Sequence, residues 1–368
     1  GWDFFRMAGQ SGSWCRPSWF LSNDPCGLVC ALMTYGLILY ANFAILYGVL
    51  LPWYSWTAPA VLHYTIFAII SLLSVLSHMC AMTTNPGAVP LQCPFPPQVD
   101  ESRGPVPMCH RCDGYKPPRA HHCSQCNRCI FKMDHHCPWV NNCVGHNNQK
   151  HFILFLCYTL TLSAYALTLL AMRAASSMSQ LDVASRTRNR PAALLRPAHG
   201  MGGTTRAAGE DAAAVFINCM LFFEAVLFGL FTAAMLTDQL TSILNDTTAI
   251  ERLKKEDRDR APHASCLYAL SETFGRPCSL LWLVPTSVKF NGLTYEQLSS
   301  PEVGGDYYMF LSDAGHAAPT GHGSDAGRSD DYSVSDERDA ELMHVTDALS
   351  PRPAAHAYGD LHPREAMS

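Results

Sequence analysis

Charge is what this chain has least of. Only 15% of its 368 residues are Asp, Glu, Lys or Arg, while 48% are hydrophobic. Average usage is about a quarter charged, so membrane class is favoured at once. Mean hydropathy is only +0.02 because polar tails dilute the apolar runs. The net charge of −5 comes with no basic stripe along a predicted helix, which gives no case for a nucleic-acid partner, and none is expected. Residues 1–27 mix Trp, Arg, Pro and Asp and show no signal-peptide pattern. Phe5 stands where a myristoylation signal needs Ser or Thr. The first residue is Gly1 and not Met, so a processed or missing start is expected. No internal repeat is evident beyond the spacing of the cysteines.

What the chain does have is long uncharged runs. Residues 28–51 and 59–82 carry no Asp, Glu, Lys or Arg, nor do 152–172, and 212–237 is interrupted only by Glu224. Each exceeds the roughly 20 residues that a helix needs to cross a hydrocarbon core. The predicted fold class is therefore all-α integral membrane, with four transmembrane helices. Between the first two runs lies a short loop, 52–58, whose Trp53, Tyr54 and Trp56 read as an interfacial belt. Four spans return both tails and the segment 83–151 to one face.

Seven cysteines fall between Cys109 and Cys143, in C-x-x-C pairs with interleaved histidines. An oxidised disulfide scaffold is the competing reading. The spacing suits zinc ligands in a reducing compartment better, which puts the segment on the cytosolic side. Arg252, Lys254, Lys255, Arg258 and Arg260 after the fourth run agree with that side; Arg173, Arg186, Arg188, Arg190, Arg196 and Arg206, in a loop that this topology makes lumenal, oppose it. The predicted divisions are a cytosolic segment 1–27, helices 1 and 2 in 28–82, the cysteine-rich domain 83–151, helices 3 and 4 in 152–237 with a lumenal, disordered-looking loop in 173–211, a cytosolic region 238–311, and a disordered tail 312–368 rich in Ser, Asp, Gly, His and Pro.

Two tetrahedral zinc sites need eight ligands. If six cysteines and two histidines supply them, one cysteine is left over for chemistry. Spacing alone does not say which ligands pair. Here the segment from Cys109 to Phe152, with Cys109-His-Arg-Cys112, His122-Cys123-Ser-Gln-Cys126, Cys129, Asp134-His135-His136-Cys137 and Cys143, closely resembles the Asp-His-His-Cys cysteine-rich domain of protein S-acyltransferases, the palmitoyltransferases. The resemblance implies two closed structural zinc sites, Cys109/Cys112/His122/Cys129 and Cys123/Cys126/His136/Cys143. It leaves Cys137 unused. His110, His121, His146 and His151 are read as solvated or supporting histidines.

A thiolate is a nucleophile, and a neighbouring His takes its proton. His135 is the expected base, and Asp134 the group that orients it. Cys137 is then expected to attack the thioester of a long-chain acyl-CoA, to hold the acyl group, and to pass it to a cysteine of a cytosolic or membrane-associated protein substrate. Arg119, Lys132 and Lys150 are candidates for the CoA phosphates. Thr248 and Glu251 match the family's Thr-Thr-x-Glu element, expected to brace the active-site domain, and also have the spacing of a helix capping box. Thr84-Asn85-Pro86-Gly87 reads as a plain turn where the family has Asp-Pro-Gly. Ala269 replaces a family Asn, which puts a packing role for that stretch in question. Glu224 and Asn42 are intramembrane polar groups, functional candidates or helix–helix hydrogen bonds. Asp24-Pro25-Cys26-Gly27-Leu28 resembles the family's Golgi-associated branch, so the Golgi is the expected location. A non-catalytic zinc-stabilised membrane adaptor is the alternative, and a membrane ubiquitin ligase a weaker third.

Overall fold

The computed structural model describes residues 22, 24–93, 107–188, 208–254 and 265–288, with the side chains of 181, 183–188 and 208–211 left aside. The expected disordered tail, the residues 189–207 and the basic flank beyond Lys254 lie outside the described residues.

Four helices are long and apolar enough to cross a bilayer: Pro25–Tyr54, Ala58–Thr83, Gln149–Gln180 and Ala212–Leu244. The first begins as α1 (Pro25–Phe43), with Pro25 at its first turn and the Asp24 carboxylate accepting from the Cys26 amide at 3.1 Å. It then widens into a π-helical stretch, Ala44–Leu50, and ends in one more turn, α2 (Leu51–Tyr54). Widening frees carbonyls, and Arg173 donates to those of Gly48 and Val49. Helix α3 (Ala58–Thr83) returns, and beside Phe67 and His78 its buried stripe holds small residues: Ala60, Ser71, Ser74, Ser77 and Ala81. Small residues let neighbouring helices approach; Ser74 meets Thr159 at 3.1 Å and Ser71 meets Asn42 at 3.0 Å. The larger apolar side chains of α1 and α3, such as Leu39, Leu62 and Leu72, face outward, as lipid contact requires.

The first loop is thus shorter than expected, because the helix continues through Pro52 to Tyr54; the proline lacks an N–H for the preceding turn, where Arg173 donates to the Gly48 and Val49 carbonyls. The segment after the third span is also more helical than its composition suggests. Helix α4 runs Gln149–Arg188 and α5 runs Ala208–Leu244. Residues 173–188 are Ala- and Ser-rich but hold neither Gly nor Pro, so no helix breaker falls within this part of α4.

Between α3 and α4, three two-stranded antiparallel hairpins form the cysteine-rich domain: β1 (Met108–Cys109) with β2 (Gly114–Tyr115), β3 (Ala120–Cys123) with β4 (Arg128–Phe131), and β5 (His135–Cys137) with β6 (Asn142–Val144). Such short hairpins bury too little apolar surface to hold themselves. The domain is docked by amides: Asn142 donates to the carbonyls of Ala81, Met82 and Thr84 at 3.0–3.2 Å, and Asn148 donates to that of Ala81 at 3.0 Å. These satisfy the orphan carbonyls at the end of α3. Gly27 lets α1 approach the same domain; a Cβ there would lie 2.4 Å from the Asn141 Oδ1. Asn85 makes the expected turn, its Oδ1 accepting from the amides of Gly87 and Ala88 at 3.0 and 2.8 Å. Beyond α5 come α6 (Ala249–Lys254) and α7 (Cys266–Phe274). Ala269 is buried between Ile153 and Ile243, so its stretch packs against the bundle without the family's amide.

Candidate active site and metal centres

Two clusters of ligand atoms stand out among the described residues: Cys109, Cys112, His122 and Cys129, and Cys123, Cys126, His136 and Cys143, the atoms of each within 4.8 Å of one another. Zinc bonds of about 2.3 Å to sulfur and 2.0 Å to nitrogen imply tetrahedral edges of about 3.8 Å between sulfurs and about 3.5 Å from sulfur to nitrogen. In the first cluster the Cys112–Cys129 sulfur separation is 3.7 Å, and His122 Nδ1 lies 3.6 and 3.2 Å from Cys109 and Cys112. In the second the Cys126–Cys143 separation is 3.5 Å, and His136 Nδ1 lies 3.5–3.7 Å from all three sulfurs. No described cysteine is in a disulfide. Both donor sets fit zinc with every position filled by protein. Neither includes His110, His121, His146 or His151.

The interleaving has a local cause. Each C-x-x-C pair sits at a hairpin, and each third and fourth ligand comes from a later strand. His122 and Cys129 are cross-strand partners in β3–β4, and His136 and Cys143 are partners in β5–β6. The second cluster has a further neighbour: Asp24, at the start of α1, faces His136 Nε2 across 3.6 Å. A carboxylate behind a metal-binding imidazole fixes its orientation.

Cys137 belongs to neither cluster. It is buried, and it shares strand β5 with His135, two residues away, so both side chains project to one face. Asp134 Oδ2 lies 2.8 Å from His135 Nδ1. Burial opposes charge on the imidazole, but the bond to Asp134 and the nearness of Cys137 outweigh it and push its pKa up to about 9. Asp134 is itself buried, yet the bonds from His135, the Ala249 amide and Gln239 hold its carboxyl below the usual range. The Ala249 amide reaches Oδ1 at 2.8 Å, and Gln239 Nε2 reaches Oδ2 at 2.7 Å. Gln239 is fully buried, and its own carbonyl oxygen accepts from Gln149 at 3.3 Å. On the other side, His78 Nε2 contacts the Trp139 carbonyl at 2.8 Å and steadies the turn after Cys137. Neither Gln239 nor His78 was singled out from sequence for this role; a lone amide or imidazole in an apolar span was the available signal.

Thr248 and Glu251 act both ways. The Thr248 amide donates to Glu251 Oε2 at 2.8 Å, and the Glu251 amide donates to Thr248 Oγ1 at 3.3 Å, a reciprocal capping box at α6. Fully buried Glu251 also takes a two-pronged ion pair from Arg119 at 2.7 and 2.9 Å.

The three cations expected at CoA phosphates do not converge. Arg119 bonds Glu251 and Asp246, and Lys132 reaches the same Asp246 at 3.1 Å. These neighbours more than offset the burial of Arg119 and hold its charge firmly. Lys150 is buried elsewhere, with Nζ donating to the Leu281 and Thr286 carbonyls and to Thr286 Oγ1 at 3.0–3.2 Å. Each of the three cations thus has a carboxylate or carbonyl partner within the protein.

Beneath Cys137 an apolar cavity descends between the four spans, lined almost wholly by apolar side chains and by Glu224. Asn42 makes the expected inter-helix bond, donating to Ser71 Oγ, whereas Glu224 Oε2 is shielded from solvent without a partner.

A family model described as DHHC palmitoyltransferase matches residues 104–256. Over 278 residues the chain is 37% identical to palmitoyltransferase ZDHHC3 of Rattus norvegicus, covering 74% of this chain and 85% of that one. It is 38% identical to palmitoyltransferase ZDHHC7 of Mus musculus over 276 residues, covering 73% and 80%. A shorter match, 37% over 142 residues, covers 36% of this chain and 49% of a probable protein S-acyltransferase 16 of Arabidopsis thaliana.

Proposed function

Because the chain belongs to the DHHC palmitoyltransferase family and is a multi-pass membrane protein S-acyltransferase that uses acyl-CoA, we propose that Cys137 carries the acyl group, with His135 as its base and Asp134 orienting that base. The observation that carries this reading is the position of one sulfur. Of the seven cysteines from 109 to 143, Cys137 alone stands outside the two metal clusters, and it lines the apolar cavity.

In the first half-reaction the Cys137 sulfur attacks the thioester carbonyl of acyl-CoA, and the carbon–sulfur bond to CoA breaks. The thiol proton passes to His135 Nε2, which is buried beside Cys137, and Asp134 stabilises the imidazolium at Nδ1. That proton leaves with the CoA thiol. In the second, a substrate cysteine attacks the acyl-enzyme and Cys137 is released. One thioester replaces another, so no other energy source is needed. The acyl chain lies in the cavity, where each buried methylene contributes about 0.8 kcal/mol. Zinc, where bound, supplies structure by fixing the hairpins that carry these residues.

We assign Arg119 and Lys132 to bracing α6 and the loop before it against the cysteine-rich domain, and Lys150 to holding the segment 281–286. The active site faces the cytosol in the Golgi, the protein substrates are cytosolic or membrane-associated with an accessible cysteine, and no nucleic acid is involved. Incubation with a clickable palmitoyl-CoA tests the reading. Hydroxylamine-labile label is expected on the protein and absent from Cys137→Ala; label that persists in that variant contradicts it.

A further inference from the structure

The apolar cavity contains one feature that a plain hydrocarbon chain cannot satisfy. Glu224 lines it together with Cys137, and the Glu224 Oε2 is out of contact with solvent and bonded to nothing. The phenol beside it, Tyr40, donates instead to the Ile217 carbonyl at 3.0 Å. Two other hydroxyls that line the cavity are engaged as well: Thr232 donates to the Phe228 carbonyl at 2.6 Å and Thr34 to that of Cys30 at 3.0 Å. A buried polar oxygen without a partner is unfavourable; of the rest of the lining, Thr159 pairs with Ser74 at 3.1 Å, Ser163 packs against Gly229, and the others, such as Phe67, Leu221 and Phe228, are apolar.

Its depth can be read along α5. Cys137 packs in one cluster with Met235, and Trp139, two residues on, meets the rings of Phe228 and Phe231. Cys137 therefore lies level with about residues 232–235 of α5, and Glu224 is 8 to 11 residues further into the membrane. At about 1.5 Å per residue that is about 12–16 Å. An extended alkyl chain built from carbon–carbon bonds of about 1.5 Å advances about 1.25 Å per carbon. Glu224 thus meets an acyl chain on Cys137 near its tenth to thirteenth carbon.

From this geometry we infer that Glu224 is a specificity-determining residue, and that the cavity takes acyl groups bearing a hydroxyl near carbon 12. The inference rests on the acyl-enzyme reading above. A saturated chain covers the carboxyl and leaves it unpaired. A hydroxyl at that depth exchanges a hydrogen bond with it, and the hydroxyl is satisfied in turn. No new chemistry is required, since the transfer step at Cys137 is the same for both chains.

The test compares loading of the full-length protein with dodecanoyl-CoA and 12-hydroxydodecanoyl-CoA, read as hydroxylamine-labile mass on Cys137. In the unaltered protein the hydroxylated chain should load at least as fast as the plain one. Glu224→Leu should lower the hydroxylated-to-plain ratio about tenfold, one net hydrogen bond's worth, while Glu224→Gln, which still bonds a hydroxyl, should keep it within about threefold. A ratio that falls less than about threefold in Glu224→Leu overturns the inference. If that variant does not fold, a ratio below one in the unaltered protein overturns it instead. Palmitoyl-CoA serves as the control: if it leaves no acyl group on Cys137 of the unaltered protein, the acyl-enzyme reading has failed, not the role of Glu224.

Discussion

The two metal clusters have the same ligands, three cysteines and one histidine, and nearly the same edge lengths, yet they hold different things. The first is made by β1, the turn after it and the β3–β4 hairpin. The second takes His136 and Cys143 from the β5–β6 hairpin. Its histidine ligand therefore lies between His135 and Cys137 in sequence, and it faces Asp24 at the head of the first span. Identical coordination chemistry is a clamp on a peripheral hairpin in one case and a mount for the reactive sulfur in the other. What separates them is which strand each histidine belongs to.

Removing ligands should expose that asymmetry most strongly. Cys143→Ala is expected to lower zinc from two to one per chain and acyl loading by more than about a hundredfold, because loss of a structural zinc site is loss of local folding energy. Cys109→Ala should lower zinc equally and leave measurable loading. Zinc analysis beside loading rates checks both, and equal losses of activity would erase the distinction. Next in size is Arg119→Met, which takes the guanidinium away from the buried Glu251 carboxylate. Breaking such a pair costs about 3–5 kcal/mol, so the thermal midpoint should fall clearly while the first cluster keeps its zinc. Asp24→Ala should weaken zinc at the second cluster by about 10- to 100-fold, the usual effect of losing a carboxylate behind a ligand histidine, with the first cluster unchanged; chelator competition resolves the two. Smallest is Gln239→Leu, which removes one of the two donors to Asp134 Oδ2. The acyl-transfer kcat should fall about tenfold with KM for acyl-CoA nearly constant, the pattern of a contact felt in the transition state.

Much of this was legible beforehand because it depends on local pattern. Uncharged runs located the spans, and the spacing of Cys and His, read with the family resemblance, named the two sets that the structure brings together. The ends of helices were less legible. Pro52 looked like a loop residue but starts a turn, and residues 173–188 looked loose but contain no helix breaker. Long-range partners were least legible. Charge alone made Arg119, Lys132 and Lys150 look available to phosphates, since nothing near them in sequence announces Asp246, Glu251 or the carbonyls of Leu281 and Thr286. Gln239 went unremarked for the same reason: its partner Asp134 is 105 residues away.

Native mass spectrometry of the full-length protein after brief exposure to palmitoyl-CoA puts the central arrangement to the test directly. The account predicts two zinc ions and one acyl group on the same chain, with the acyl group localised to Cys137 by fragmentation. Acylation that appears only as zinc is released, or a Cys137 sulfur found bound to metal, would contradict it.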